Sequence, residues 1–61
     1  MRTFAFFIHD SRYSVPTLHW ADLHHEEDAR VQAQGRLDES PYHLAVEVLE
    51  DETPLFRVDR G

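Results

Sequence analysis

The chain has no cysteine, no lysine and only two glycines, and its longest apolar run, Phe4-Ala5-Phe6-Phe7-Ile8, is five residues. Each of these absences excludes something. Without cysteine there is no disulfide and no thiolate metal site. With Gly35 and Gly61 as the only glycines, no glycine loop can cradle a phosphate and no dinucleotide fingerprint exists. A run of five apolar residues is too short for a secretory signal core or a membrane span. No serine stands in a G-x-S-x-G nucleophile elbow. Without lysine, the six cations are all arginine, and they face twelve carboxylates for a formal net charge of −6.

That charge shapes the expected partners. An acidic surface repels a phosphate backbone and an anionic bilayer, so neither nucleic acid nor membrane is expected as a partner. No bound cofactor is expected. A chain without thiols is compatible with the cytoplasm, which is the expected location. Sixty-one residues make one small domain, residues 1–61, with a thin stability margin, since a chain of this size buries only about 60% of its unfolded surface. Domains this small usually need an added constraint, and with disulfides excluded the candidates are a metal or a partner chain.

What is present is alternation. Residues 3–9 read as a first strand, with Phe4, Phe6 and Ile8 on one face and Ala5, Phe7 and His9 on the other. Asp10-Ser11-Arg12 is turn material. Residues 13–18 could return as a short edge strand, with Pro16 unable to donate to a ladder. Residues 21–40 read as the one helix, with Asp22 as its N-cap, acidic residues 26–28 favourably placed for the helix dipole, and Ser40-Pro41 as its stop. Its apolar side is thin: Ala29, Ala33 and Leu37, with Leu23. Residues 43–49 and 55–58 read as a C-terminal hairpin across a polar turn at 51–54, and the last residues are expected to fray. The expected fold is therefore α+β: an antiparallel sheet of three strands, with a fourth open as an option, and one helix across one face, in the order β-(β)-α-β-β.

The functional expectation follows from counting faces. Phe4, Phe6, Ile8, Leu44, Val46, Val48, Phe56 and Val58 line one sheet face, which the helix can cover. Ala5, Phe7, Ala45, Leu49 and Leu55 line the other. Left open, they form an apolar patch of the kind that marks a contact surface. They are the expected interface residues of a homodimer or of a complex with another protein. The competing arrangement folds the N-terminal loop over this face, with Tyr13, Leu18 and Trp20 as its cover. On this reading the protein is a non-enzymatic interaction module.

Two alternatives come from other features. His24, His25 and Asp28 form a His/carboxylate cluster, and on a helix His24 and Asp28, four apart, would share a face as a metal pair. A third ligand would come from His19 or His9. The pattern is not H-E-x-x-H. The net charge also fits an acidic inhibitor that neutralises a basic partner and whose binding weakens with salt. His9-Asp10 does not make a catalytic dyad, because adjacent strand residues point to opposite faces.

Phe6-Phe7-Ile8-His9-Asp10, the Asp22-Leu23 and Ala29-Arg30 stretches, Ala45-Val46-Glu47-Val48 and Leu55-Phe56-Arg57-Val58 together resemble a family of very short bacterial proteins of unknown function. Those proteins open with a Phe-rich strand ending in Asp and close with a Val-Glu-Val hairpin. The likeness spans most of the chain and rests on core and turn residues. Asp10-Ser11-Arg12 stands where the family usually has Asp-Gly. The resemblance implies a strand–helix–hairpin fold and carries no assigned activity.

Overall fold

A computed structural model describes residues 1–60. It contains four strands and one helix: β1 (Arg2–Asp10), β2 (Thr17–Leu23), α1 (Glu26–Asp38), β3 (His43–Glu50) and β4 (Thr53–Asp59). The strands form one antiparallel sheet in the order β2-β1-β3-β4, so the Phe-rich first strand is central. α1 lies across one face and packs chiefly on β3. This is the expected α+β fold, with the optional strand present.

The second strand is not where proline and turn residues suggested. It runs from Thr17 to Leu23, beyond Pro16, and takes in residues assigned above to the start of the helix. Alternation decides this: Leu18, Trp20 and Asp22 pair with Phe7, Ala5 and Thr3, while His19, Ala21 and Leu23 take the opposite parity. β1 would otherwise leave a free apolar edge on that side. Asp22 is thus no N-cap; its carboxylate accepts a hydrogen bond from Thr3 Oγ1 across the ladder (2.6 Å). The N-cap of α1 is His25, whose side chain makes no capping bond. The helix begins with Glu26, Glu27 and Asp28, where its dipole favours negative charge.

The core joins Phe4, Phe6 and Ile8 to Val46, Val48, Ala29, Ala33 and Leu37, with Ala21, Leu23, Leu55, Phe56 and Val58 packed around it. Ala29 and Ala33 are wholly buried. Their lack of bulk lets α1 sit close on the sheet, and Leu37 fills the space one turn on. Arg30 lies over the Phe56 ring, 4.2 Å from its centroid, with Glu26 as its ion partner.

Two irregularities redirect side chains. Between His9 and Asp10 the β1–β3 register shifts and Leu44 has no partner. Leu44, expected in the core by parity, is half exposed. Between Val48 and Leu49 the β3–β4 register shifts, pairing Leu49 with Pro54 and Val48 with Phe56. The extra residue is Leu55, which packs against the helix-side core. Its expected place on the open face is therefore corrected, because a bulge breaks the period-two rule on which that place rested. Pro54 lies within β4, an edge strand, where a missing donor is tolerated. The hairpin turn is only Asp51-Glu52, both at positive φ (48° and 65°).

The C-terminal end is tied down. Arg60 donates to the carbonyls of Leu37, Ser40 and His43, closing the end of α1, and its amide donates to the Leu44 carbonyl (2.9 Å). Fraying is thus corrected for Asp59 and Arg60; Gly61 lies outside the described residues. No helix is long and apolar enough to cross a membrane.

Candidate interaction surface

The sheet face away from α1 is built by register. One row across it reads Trp20 (β2), Ala5 (β1), Leu49 (β3), Pro54 (β4), and the next reads Leu18, Phe7, Glu47, Arg57. Ala5 and Ala45 are buried, since their short side chains lie between larger neighbours. Phe7 and Leu49 are half-buried. Trp20 is 66% exposed and Leu18 45%. Trp20, read from sequence as part of a lid, covers nothing. Tyr13 and Val15 of the β1–β2 loop are also exposed, at 59% and 69%. The loop does not close this face.

The apolar part of the face forms a groove of about 290 Å3 lined by Ala5, Phe7, Trp20 and Leu49 together with Thr3, Asp51 and Glu52. Beside it runs a charged row. His9 Nε2 donates to Glu47 Oε1 (2.5 Å), which also takes Arg57 Nη1 (3.4 Å), while Arg57 Nε donates to Asp59 (2.8 Å). The hydrogen bond it donates to Asp59 holds the Arg57 guanidinium above its ordinary pKa. The ions in this row answer one another, so the row presents no large net charge.

The expected interface set is thus partly assembled. Ala5, Phe7, Ala45 and Leu49 stand on β1 and β3 of this face, and Leu55 does not. Trp20 and Leu18, read from sequence as a cover for this face, are exposed members of it, and Pro54 was missed. The signal for the first two was available in the alternation of Leu18-His19-Trp20-Ala21. The β-bulge that brings Pro54 opposite Leu49 has no such signature.

Among the described residues the structure does not bring His24, His25 and Asp28 together with a further ligand. His24 precedes the helix and His25 caps it in an extended conformation. His24 and Asp28 therefore do not stand one turn apart on a shared helix. The His24 and His25 rings are 6.3 Å apart at a tilt of 48°. His9 is held by Glu47 on the open face, and His19 pairs with Phe6 at the helix-side parity. Among the described residues no group of three or more His, Asp or Glu side chains could hold a metal ion.

One further polar cluster lies where β1 ends. Asp10, 7% exposed, accepts from the Arg12 backbone amide (2.8 Å), Arg12 Nε (3.0 Å) and Arg12 Nη2 (2.7 Å). These bonds hold its pKa at about 2, against an ordinary 3.8. The Arg12 guanidinium lies over Tyr42 (4.5 Å) and Tyr13 (5.3 Å). His43 donates from Nδ1 to the Arg36 carbonyl (2.6 Å) and brings Nε2 to 3.6 Å from Asp10. The Asp10 carboxylate, the Arg12 guanidinium and the His43 imidazole are thus engaged within the cluster, and together they hold the turn that expectation left without a tight Asp-Gly.

Comparison with protein-family models, with curated proteins and with solved structures returns no match.

Proposed function

We propose that this chain is a non-enzymatic protein-interaction module and that the open face of its sheet is the surface it uses. One observation carries the reading. Trp20 and Leu18 stand exposed beside Phe7 and Leu49, on a face that no element of the chain covers. Contiguous apolar surface of this kind on a small domain marks a contact site. Tryptophan is among the residues most enriched at binding hot spots. No polar group on the face is set up for reaction: His9, Glu47, Arg57 and Asp59 are spent on one another. A cytoplasmic setting fits a chain without thiols.

A second copy of the chain is one candidate occupant, for which the apolar half of the face is suited. Two such faces laid together would hide Trp20, Leu18, Phe7 and Leu49, and association would add stability by mass action.

The test is Trp20→Ala, followed by light scattering and by capture of partners on immobilised protein. The substitution removes the exposed indole from the groove without touching the helix-side core. It is expected to abolish association, with itself or with a partner, while the circular dichroism spectrum stays that of the parent. Undiminished association by the folded variant would contradict the reading.

A further inference from the structure

The groove over Ala5 is chemically lopsided. Its lining is mostly apolar and aromatic, and it also includes two exposed acidic residues, Asp51 and Glu52. A volume of about 290 Å3 is near the lower limit of ligand-binding clefts, roughly 300 Å3, and suits a single long side chain.

The chain has nothing of its own to put there. Arg2 is held by Glu50, Arg12 by Asp10, Arg30 by Glu26, Arg36 by Glu39, and Arg57 by Asp59 and Glu47. Arg60 is spent on three backbone carbonyls. With no lysine in the sequence, all cationic side chains except the histidines are thereby accounted for. Among the described residues no cation pairs with Asp51 or Glu52. Both acids form the two-residue tip of the β3–β4 hairpin, at positive φ, and both are exposed.

We infer that this groove is a subsite for an arginine or lysine side chain of a partner protein. The inference rests on the open face being the binding surface, and it adds the chemistry of the partner: a basic segment, not a second copy of this chain. The aliphatic stem of the incoming side chain lies over Ala5 and against Leu49, as long basic side chains do on apolar surface. Its cationic head meets the face of the Trp20 indole and the two carboxylates. A second copy is the poorer occupant on charge. Each copy carries −6, and each keeps its arginines engaged within itself. A basic partner instead gains from the net charge on approach.

Trp20 is the only tryptophan and forms one wall of the groove, so its fluorescence reports occupancy directly. The probe is the blocked peptide acetyl-Val-Arg-Val-Arg-Val-amide, compared with the same peptide carrying norleucine for arginine. The arginine peptide is expected to give a saturable change in Trp20 emission that weakens as salt is raised. Norleucine in place of arginine is expected to weaken binding. The double variant Asp51→Asn, Glu52→Gln is expected to weaken arginine-peptide binding about tenfold, the scale of losing two exposed charge contacts. Its folding is checked by its melting curve; Asn tolerates positive φ at least as well as Asp. Equal binding of the two peptides, or equal binding by the double variant, would overturn the inference. So would a Trp20 that ignores the arginine peptide but responds to protein concentration; the face would then belong to a second copy, and the reading of the face itself would survive. A Trp20 that responds to neither would remove both.

Discussion

Asp10 illustrates how much one side chain can hold. It is the only buried charged residue among the described residues, and its carboxylate takes three hydrogen bonds from Arg12, from the backbone amide and two guanidinium nitrogens. Its folded pKa of about 2 lies below the ordinary 3.8. A depressed carboxylate contributes stability that is fully present above its unfolded pKa and is lost as pH falls through the folded value. The melting temperature should therefore drop between pH 3.8 and about 2. Asp10→Asn should flatten that limb and lower the melting temperature at neutral pH, as thermal scans across the acid range would show; an unchanged acid limb would mean that the Arg12 bonds are not kept in solution. Sequence made Asp10 a turn residue and stopped there. Its approach to His43, 33 residues along the chain, depends on the β1–β3 pairing and could not be read locally.

Glu52 makes the opposite point. It sits at φ 65° in a two-residue hairpin turn, where glycine is the preferred residue. Glu52→Gly should raise stability by about 1 kcal/mol, the steric cost of the left-handed region for a residue with a Cβ, measurable by urea unfolding. The same change should weaken the binding of a basic peptide. A natural sequence that keeps an acid at a position suited to glycine is consistent with a use for the charge.

Elements were more legible than residues. Strict alternation in residues 3–9 and 43–49 located β1 and β3 and their faces, except at Leu44, which the irregularity opposite His9 and Asp10 leaves half exposed. The hairpin was legible in kind but not in register, because the Leu49–Pro54 bulge leaves no mark in the period of the side chains. The start of the helix was misplaced by four residues or more. Asp22-Leu23 satisfies a capping pattern locally, and only the unfilled edge of β1 recruits it into a strand; tertiary pairing overrode a local signal. The thin stripe of Ala29, Ala33 and Leu37 was recognised, and its burial explains why so weakly amphipathic a segment stays helical: helices in proteins draw most of their stability from packing. Gly35, by contrast, lies on the exposed side of α1 with nothing within 4 Å of where a Cβ would stand. Gly35→Ala should stabilise the chain by about 1 kcal/mol through helix propensity alone, seen as a raised urea midpoint at unchanged slope.

At the scale of the whole molecule, one helix and one sheet give two layers and three faces that need cover or water. α1 covers one face of the sheet. Its own outer side is polar, apart from Val31. The remaining sheet face divides into a charged row that satisfies itself and an apolar groove that does not. Sequence alone gave the excess of apolar faces over covering elements, which is the physical basis of the interaction reading. It could not give the groove, because that depends on Trp20 and Leu49 flanking Ala5 from two different strands. Nor could it give the charge tally, since which carboxylates are answered depends on contacts such as Arg2–Glu50, which are 48 residues apart. These contacts leave Asp51 and Glu52 uncompensated beside the exposed indole.

The claim on which this account turns is that the second face of the sheet is open. Its most direct measurement is the emission and collisional quenching of Trp20 in the dilute chain. An indole with two thirds of its surface in water should emit as free tryptophan does and be quenched freely by acrylamide, then become shielded when the arginine peptide is added. A blue-shifted Trp20, protected from quencher in the dilute and unliganded chain, would mean that the face is already covered and would contradict the account.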